Sequence, residues 1–378
     1  MKVQAFVTAI KALGIDTIAG VPDSALQTFC NYLNGEDCDF THYVPANEGA
    51  AVGIAIGSFL ASGKPVCVYM QNSGIGNVVN PVTSLANEEV YQIPMLFVVG
   101  WRGEPGKKDE PQHRFMGKVT REVLEVIGVE SAVLTADATD EDVSAVFAKA
   151  KKTLEQGKQF AIVVTKDAFE KEVMNVYGNA YTLGREDAIA EILRNLQERD
   201  VIVSTTGKIS REVYEQCDVI IGHHKQAFVT VGGMGHAGMI ALGIAKRRED
   251  KKVYCIEGDG AVLMHMGELA LIAKQAPKNY VHICLNNDAH ESVGGMPTGA
   301  VGGDFYKVAE ACGYRYAVCV EDMTSLRKEL ETAKQQEGPI FIEVKVKLGA
   351  REDLGRPKET AVENRNQFMH YHFPEIAK

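Results

Sequence analysis

Short runs of β-branched and apolar residues alternate with longer stretches of helical period along the whole chain, and this alternation restricts the fold more than any other feature. The first series is DTIAGV, THYVP, PVCVYM, PMLFVVGW, ESAVLT and FAIVVT. The second is DVIVSTT, DVII, AFVTV, KVYCIEGDG, YVHICLNN, YRYAVCV and PIFIEVKV. Strands separated by helices join parallel sheets through right-handed crossovers, so each series predicts one α/β unit. A chain of 378 residues is too long for one ordinary domain and sufficient for two, each with its own core. The segment DAFEKEVMNVYGNAYTLGR from Asp167 to Arg185 is polar and aperiodic. The expected division is therefore 1–170, a linker at 171–184, and 185–378 including the tail. The charged tail from Gly349 is not expected to join a core; it is expected to cover a site or pack on a partner subunit.

A formal net charge of -10 argues against nucleic-acid binding, which requires a concentrated basic surface. No apolar run reaches the roughly 18 residues of a membrane span. The opening MKVQAFVTAIKALGIDTIAG is interrupted by Lys11, Gly14 and Asp16 and reads as an amphipathic helix, not a signal peptide, which makes the cytoplasm the expected location. The eight cysteines lack any CxxC pair and several lie in strand-like runs, as buried reduced thiols would.

Chemistry concentrates where strands end. KVYCIE runs into Gly258-Asp259-Gly260, a helix-like GAVLMHMGELALIAKQ follows, and YVHICL ends at Asn286-Asn287. Ligands bind at the carboxyl ends of strands in α/β sheets. Glycines let backbone N–H groups approach a diphosphate at a helix N-terminus, and an Asp carboxylate with an Asn amide oxygen suits a hard divalent cation. Glycine and aspartate also serve ordinary turns, so two unrelated turns remain the alternative on these residues alone.

The GDG, a gap of 25 residues and the NN together resemble the cofactor motif of thiamine diphosphate (ThDP)-dependent enzymes. The resemblance implies Mg²⁺ ligation by Asp259, Asn287 and the backbone carbonyl of Ala289, with Gly258, Gly260 and Ala261 beside the diphosphate. It extends to Gly232-Gly233-Met234-Gly235, where it implies that Met234 wedges the cofactor into a V and that the Gly232 carbonyl accepts from the aminopyrimidine; otherwise this is a glycine turn with a core Met. In YVPANEGAAVGIAIG, Glu48 stands at a strand end among apolar and small residues, partly desolvated and suited to share a proton with a ring nitrogen. The resemblance makes it the glutamate that activates the pyrimidine; the plain alternative is an acid favoured by a helix dipole.

These enzymes place the cofactor between pyrimidine- and diphosphate-binding domains of different subunits, which implies at least a homodimer. With no room for a middle domain, the chain resembles the compact two-domain branch. The stretch from VYMQNSGIGNVVN through WRGEPGKKDEPQH, together with NNDAHESVGGMPT and GAREDLGRP, resembles the phosphonopyruvate decarboxylases. That implies decarboxylation of 3-phosphonopyruvate through a ThDP ylide and enamine, with sulfopyruvate as the alternative substrate. Arg102, Lys107, Lys108, His113 and Arg114 crowd one loop of an acidic chain, as a dianionic substrate would require, although a solvated basic loop has the same composition.

For proton transfer the candidates are Asp23, in GVPDS, together with His113 and His290; a turn aspartate and surface histidines are the bland alternatives. Val293 stands where pyruvate decarboxylases carry a glutamate beyond the metal asparagine, which leaves the proton donor open. A non-catalytic ThDP-binding subunit would lack half of the site, whereas Glu48 and the Asp259/Asn287 pair share this chain. No GxGxxG follows the first strand, as a nucleotide-binding dehydrogenase would require.

Overall fold

The computed structural model describes residues 1–171 and 177–376. The chain divides into two units, Met1–Val176 and Tyr177–Lys378. In the first, Thr17–Gly20 (β1), Thr41–Tyr43 (β2), Val66–Gln71 (β3), Met95–Gly100 (β4), Glu130–Leu134 (β5) and Gln159–Val164 (β6) form a parallel sheet ordered β2-β1-β3-β4-β6-β5. Strands β4 and β6 are buried at every residue, as expected where helices cover both faces of a parallel sheet. One face packs Val68, Met70, Phe97 and Val99 against Ala51, Val52 and Ala55 of the helix Glu48–Ser62. On that helix Asn47 accepts from the Ala50 N–H at 3.0 Å as the N-cap, and Gly63 ends it at φ 70°. Elsewhere in the unit, Phe6 meets Phe29, Phe147 and Phe169 edge to face at centroid distances of 5.6, 5.3 and 5.1 Å.

The second unit contains Val201–Ser204 (β7), Ala227–Val229 (β8), Val253–Gly258 (β9), Tyr280–Asn286 (β10), the short antiparallel pair Ala289–His290 (β11) and Met296–Pro297 (β12), then Tyr316–Val320 (β13) and Ile340–Lys345 (β14). Its parallel sheet is ordered β13-β14-β10-β9-β7-β8. Counted from its own first strand, with the small hairpin set aside, this is the strand order of the first unit. In each, the chain reverses direction across the sheet between the first and third strands, which opens a crevice at their carboxyl ends.

Three expectations change. DVII is not a strand: it ends the helix Lys208–Ile220, because Ile209, Val213 and Cys217 recur every fourth residue and face the core, leaving Val219 exposed. The helix after GDG breaks into Asp259–Met264 and Glu268–Gln275 around His265 and Gly267. The tail does enter a core. Its helix Ala361–His372 opens with a Thr360/Glu363 capping box, and Phe368 and Phe373 pack among the buried apolar residues. Asn364 Nδ2 donates to the Ala227 carbonyl at 3.2 Å, and its Oδ1 accepts from the Val229 N–H at 3.3 Å, so the helix covers the edge strand β8.

Of the expected linker, 172–176 lie outside the described residues, while Asn179 and Tyr181 bond to Asn287 and Asp288 within the second unit. Among the described residues no helix is long and apolar enough to cross a membrane. Phe368→Ala removes a ring that is 4% exposed and should destabilise the second unit by about 3–5 kcal/mol, read as an earlier denaturant midpoint.

Candidate active site

In the first unit the site residues gather where β1, β3 and β4 end. Glu48 begins its helix with the side chain buried, and Asn77 Nδ2 donates to its Oε2 at 2.6 Å. A Cβ at Gly74 would fall on Glu48 Oε1, so only glycine lets that backbone lie against the carboxylate. Asp23 has no exposed surface; it accepts from Gln71 Nε2 at 2.6 Å and from the Ala25 N–H at 2.8 Å. Burial raises its pKa, against the pull of Gln71 and of the Arg102 charge.

The basic loop after β4 is folded on itself. Arg102 bonds Asp109 through Nε at 2.8 Å and Nη2 at 2.5 Å, and Nη1 donates to Ser24 Oγ at 2.9 Å. Asn72 fixes the loop's start, donating to the Arg102 carbonyl at 2.8 Å and accepting from its N–H at 3.2 Å. Lys107, Lys108 and Arg114 are exposed. Burial and the Arg102 charge push His113 down to about 4, so it is neutral near pH 7 and adds no fixed charge. Of the expected basic cluster, Arg102 carries its own counter-ion and the two lysines point to solvent. Gly74, Asn77 and Asp109 went unassigned, although the first two lie in QNSGIGN and Asp109 sits seven residues from the arginine it neutralises.

In the second unit, Asp259 at the end of β9 and Asn287 after β10 are both buried. Asp288 between the ligand candidates has φ 59°, a left-handed turn held by Tyr181 Oη on its Oδ2 at 2.8 Å and the Gly302 N–H on its Oδ1 at 3.0 Å. The turn is tight enough for Asn287 Oδ1 to accept from the Ala289 N–H at 3.1 Å. Burial and the Asp288 charge push the Asp259 carboxyl up to about 7, and a divalent cation would offset that cost. An acid, an amide oxygen and a backbone carbonyl would make an all-oxygen donor set suited to Mg²⁺.

Beside them stands a helix N-terminus that the sequence reading did not assign. Gly207 at φ 89° precedes the helix Lys208–Ile220, and the Lys208 N–H donates to Ser292 Oγ at 3.3 Å. A Cβ on Gly260 would lie 3.2 Å from both Met234 Cε and His290 Nδ1, so these three share one wall. Gly232 stands in the turn before Met234, Gly258 ends β9, and Ala261 is buried in the helix after it. His290 Nε2 is buried without a hydrogen-bond partner among the described residues, and burial pushes the ring down to about 4. Glu291 accepts from Asn287 Nδ2 at 2.7 Å; burial works against its charge, but Arg185 and Lys208 hold its pKa below the usual range.

Proton and cation compete for Asp259. Mg²⁺ affinity, measured by calorimetry with the diphosphate cofactor present, should therefore fall roughly tenfold per pH unit below about 7 and level off above it. A profile flat from about pH 6 to 8 would remove Asp259 as a ligand.

Residues 2–125 match the family described as "Thiamine pyrophosphate enzyme, N-terminal TPP binding domain", and residues 215–344 match its C-terminal TPP binding domain. The chain is 34% identical to a phosphonopyruvate decarboxylase of Streptomyces viridochromogenes, over 96% of this chain and 92% of the relative. It is 35% identical to that of Streptomyces hygroscopicus over the same shares. A sulfopyruvate decarboxylase of Methanosarcina acetivorans is 28% identical over 90% of each chain. With both ThDP-binding domains present and this similarity running nearly end to end, the chain belongs to the thiamine diphosphate-dependent decarboxylases, in their two-domain phosphonopyruvate decarboxylase branch.

Proposed function

We propose that this enzyme converts 3-phosphonopyruvate to phosphonoacetaldehyde and CO₂ with ThDP and Mg²⁺. The observation that carries the reading is the nearly end-to-end similarity to two phosphonopyruvate decarboxylases, stronger than that to the sulfopyruvate enzyme. The donor sets of the two units agree with it. When bound, ThDP supplies a carbon nucleophile and an electron sink for the pair released with CO₂.

The chain's own residues do the rest. Asp259 and Asn287, with the Ala289 carbonyl, bind Mg²⁺; the N-terminus of the helix at Lys208 and Ser292 Oγ bind diphosphate oxygens. Met234 supports the rings, and the Gly232 carbonyl accepts from the pyrimidine amino group. Glu48 shares a proton with the pyrimidine nitrogen through a carboxylate that Asn77 holds by one oxygen and that the lack of a side chain at Gly74 leaves room for. Asp23, His113 and His290 relay protons, the two histidines as neutral rings that must first accept one; among the described residues His290 Nε2 has no hydrogen-bond partner, and Val293 supplies no acid.

Substrate and cofactor meet between the N-terminal unit of one protomer and the C-terminal unit of another, so the active species is a homodimer or larger. Glu48→Gln should retain ThDP but lose orders of magnitude in turnover, and Asp259→Ala should lose cofactor. Mixing these two inactive variants under exchange should restore activity, since random pairing leaves about one-quarter of the sites intact in a dimer. No recovery, with exchange verified by mass, would place each site within one chain.

The phosphonate clamp is drawn from Arg102, Lys107, Lys108 and His113: the two exposed lysines supply charge, Arg102 shares its guanidinium with Asp109, and His113 donates as a neutral ring. A phosphonate carries about -1.5 to -2 near neutral pH, by analogy with phosphate esters. Each charge-assisted bond lost should cost about ten-fold to more than hundred-fold in kcat/KM for phosphonopyruvate, and less for sulfopyruvate or pyruvate. Single alanine variants assayed on the three acids at fixed ionic strength test this. An unchanged ranking and magnitude in all four would move the clamp elsewhere. The alternatives are Arg351 and Arg356 in the tail, of which Arg351 is already engaged by Glu186, Glu215 and Asp353.

A further inference from the structure

An asparagine ligand can present either face of its amide. The oxygen binds a cation, whereas the NH₂ repels it, and nothing in the side chain itself selects between the two. At Asn287 the choice is made by two neighbours, Glu291 on one end and the Ala289 N–H on the other. Its Nδ2 donates to Glu291 Oε2 at 2.7 Å, leaving Oδ1 on the side of the Ala289 N–H, 3.1 Å away. A carboxylate engaged as an acceptor can face only the NH₂ end, so Glu291 excludes the flipped amide.

Glu291 is itself fixed. Arg185 Nη1 pairs with its Oε2, and Lys208 Nζ with its Oε1 at 3.1 Å. Arg185 is 4% exposed and cannot wander, because Glu212, also buried, grips Nε and Nη2 at 2.7 Å each. The chain of contacts therefore runs Glu212, Arg185, Glu291, Asn287, each link within hydrogen-bond reach. Lys208, the first residue of its helix, closes it on the other side. Glu291 is also the carboxylate nearest in sequence to Val293, where related decarboxylases place an acid. Its oxygens are taken up by Arg185, Lys208 and Asn287, so it is not placed to stand in for that acid.

We propose that Glu291 is a positioning residue: acting through Asn287, it locks the carboxamide with Oδ1 toward the Mg²⁺ site, and Arg185 and Lys208 lock Glu291 in turn. The inference rests on Asn287 being a Mg²⁺ ligand, as proposed above. Partners of this kind, one bond removed from the metal, are worth about 10–100-fold in metal affinity.

The test uses the full-length protein and calorimetric titration of Mg²⁺ at fixed ThDP. In Glu291→Ala the half-saturating Mg²⁺ concentration should rise about 10–100-fold, while kcat recovers at saturating Mg²⁺. Leaving Arg185 with one partner fewer can impair folding, so a second comparison swaps the polarity of the bond. Asn287→Asp places two carboxylates face to face and should also weaken Mg²⁺ binding. Adding Glu291→Gln gives the new aspartate an NH₂ donor, and the double variant should regain most of the lost affinity.

Wild-type protein that retains ThDP without any Mg²⁺ dependence would overturn the ligand assignment and this inference together. Normal wild-type dependence with an unchanged Mg²⁺ requirement in Glu291→Ala, or no recovery in the double variant, would overturn the positioning role alone.

Discussion

A carboxylate taken out of water must be met by donors or by a cation, and the ends of the central strands in both units are organised around that requirement. Asp23 and Glu48 in the first unit, and Asp259, Glu291 and Glu343 in the second, are all buried or nearly so. The remedies differ. Glu48 is satisfied from inside its own unit by Asn77. Glu343 on β14 accepts from Asn286 Nδ2 at 2.7 Å, from Lys345 Nζ at 2.8 Å and from the Tyr306 N–H at 3.0 Å. At Asp259 burial and the Asp288 charge push the carboxyl up to about 7, the mark of a group whose surroundings supply too little positive potential.

That contrast explains why the two asparagines of the NN pair are not interchangeable. Asn286 is structural: it binds Glu343 through Nδ2 and receives the Asp288 N–H on Oδ1 at 2.9 Å, which sets up the left-handed turn. Asn287 instead bonds Glu291 through Nδ2 and receives the Ala289 N–H on Oδ1. The Tyr181 and Asn179 contacts then tie this turn to the segment that begins the second unit.

Much of this was legible in the sequence. The strand-helix alternation identified every strand of the first sheet and all but the β11–β12 hairpin of the second unit, because buried parallel strands are written as short apolar runs. It failed at DVII, where three β-branched residues at a helix end imitate a strand, and in the tail, where Phe368 and Phe373 are too far apart in a charged stretch to announce a core. The ligand candidates were readable because they stand at strand ends. Their supports were not: Arg185, Glu212 and Glu291 are separated by 27 and 79 residues along the chain and meet only through the fold. Nor did composition reveal that Asp109 neutralises Arg102, since a charge count treats the loop as a sum while the loop behaves as a bonded pair.

The shared strand order of the two units carries a consequence for supply. Each sheet completes its backbone pairing within its own unit, so neither needs the other's strands to be whole. What the covalent connection adds is equality of number. Glu48 lies in one unit and Asp259 in the other, and one polypeptide always delivers them in a ratio of one to one, so neither half of the donor set can accumulate without its complement.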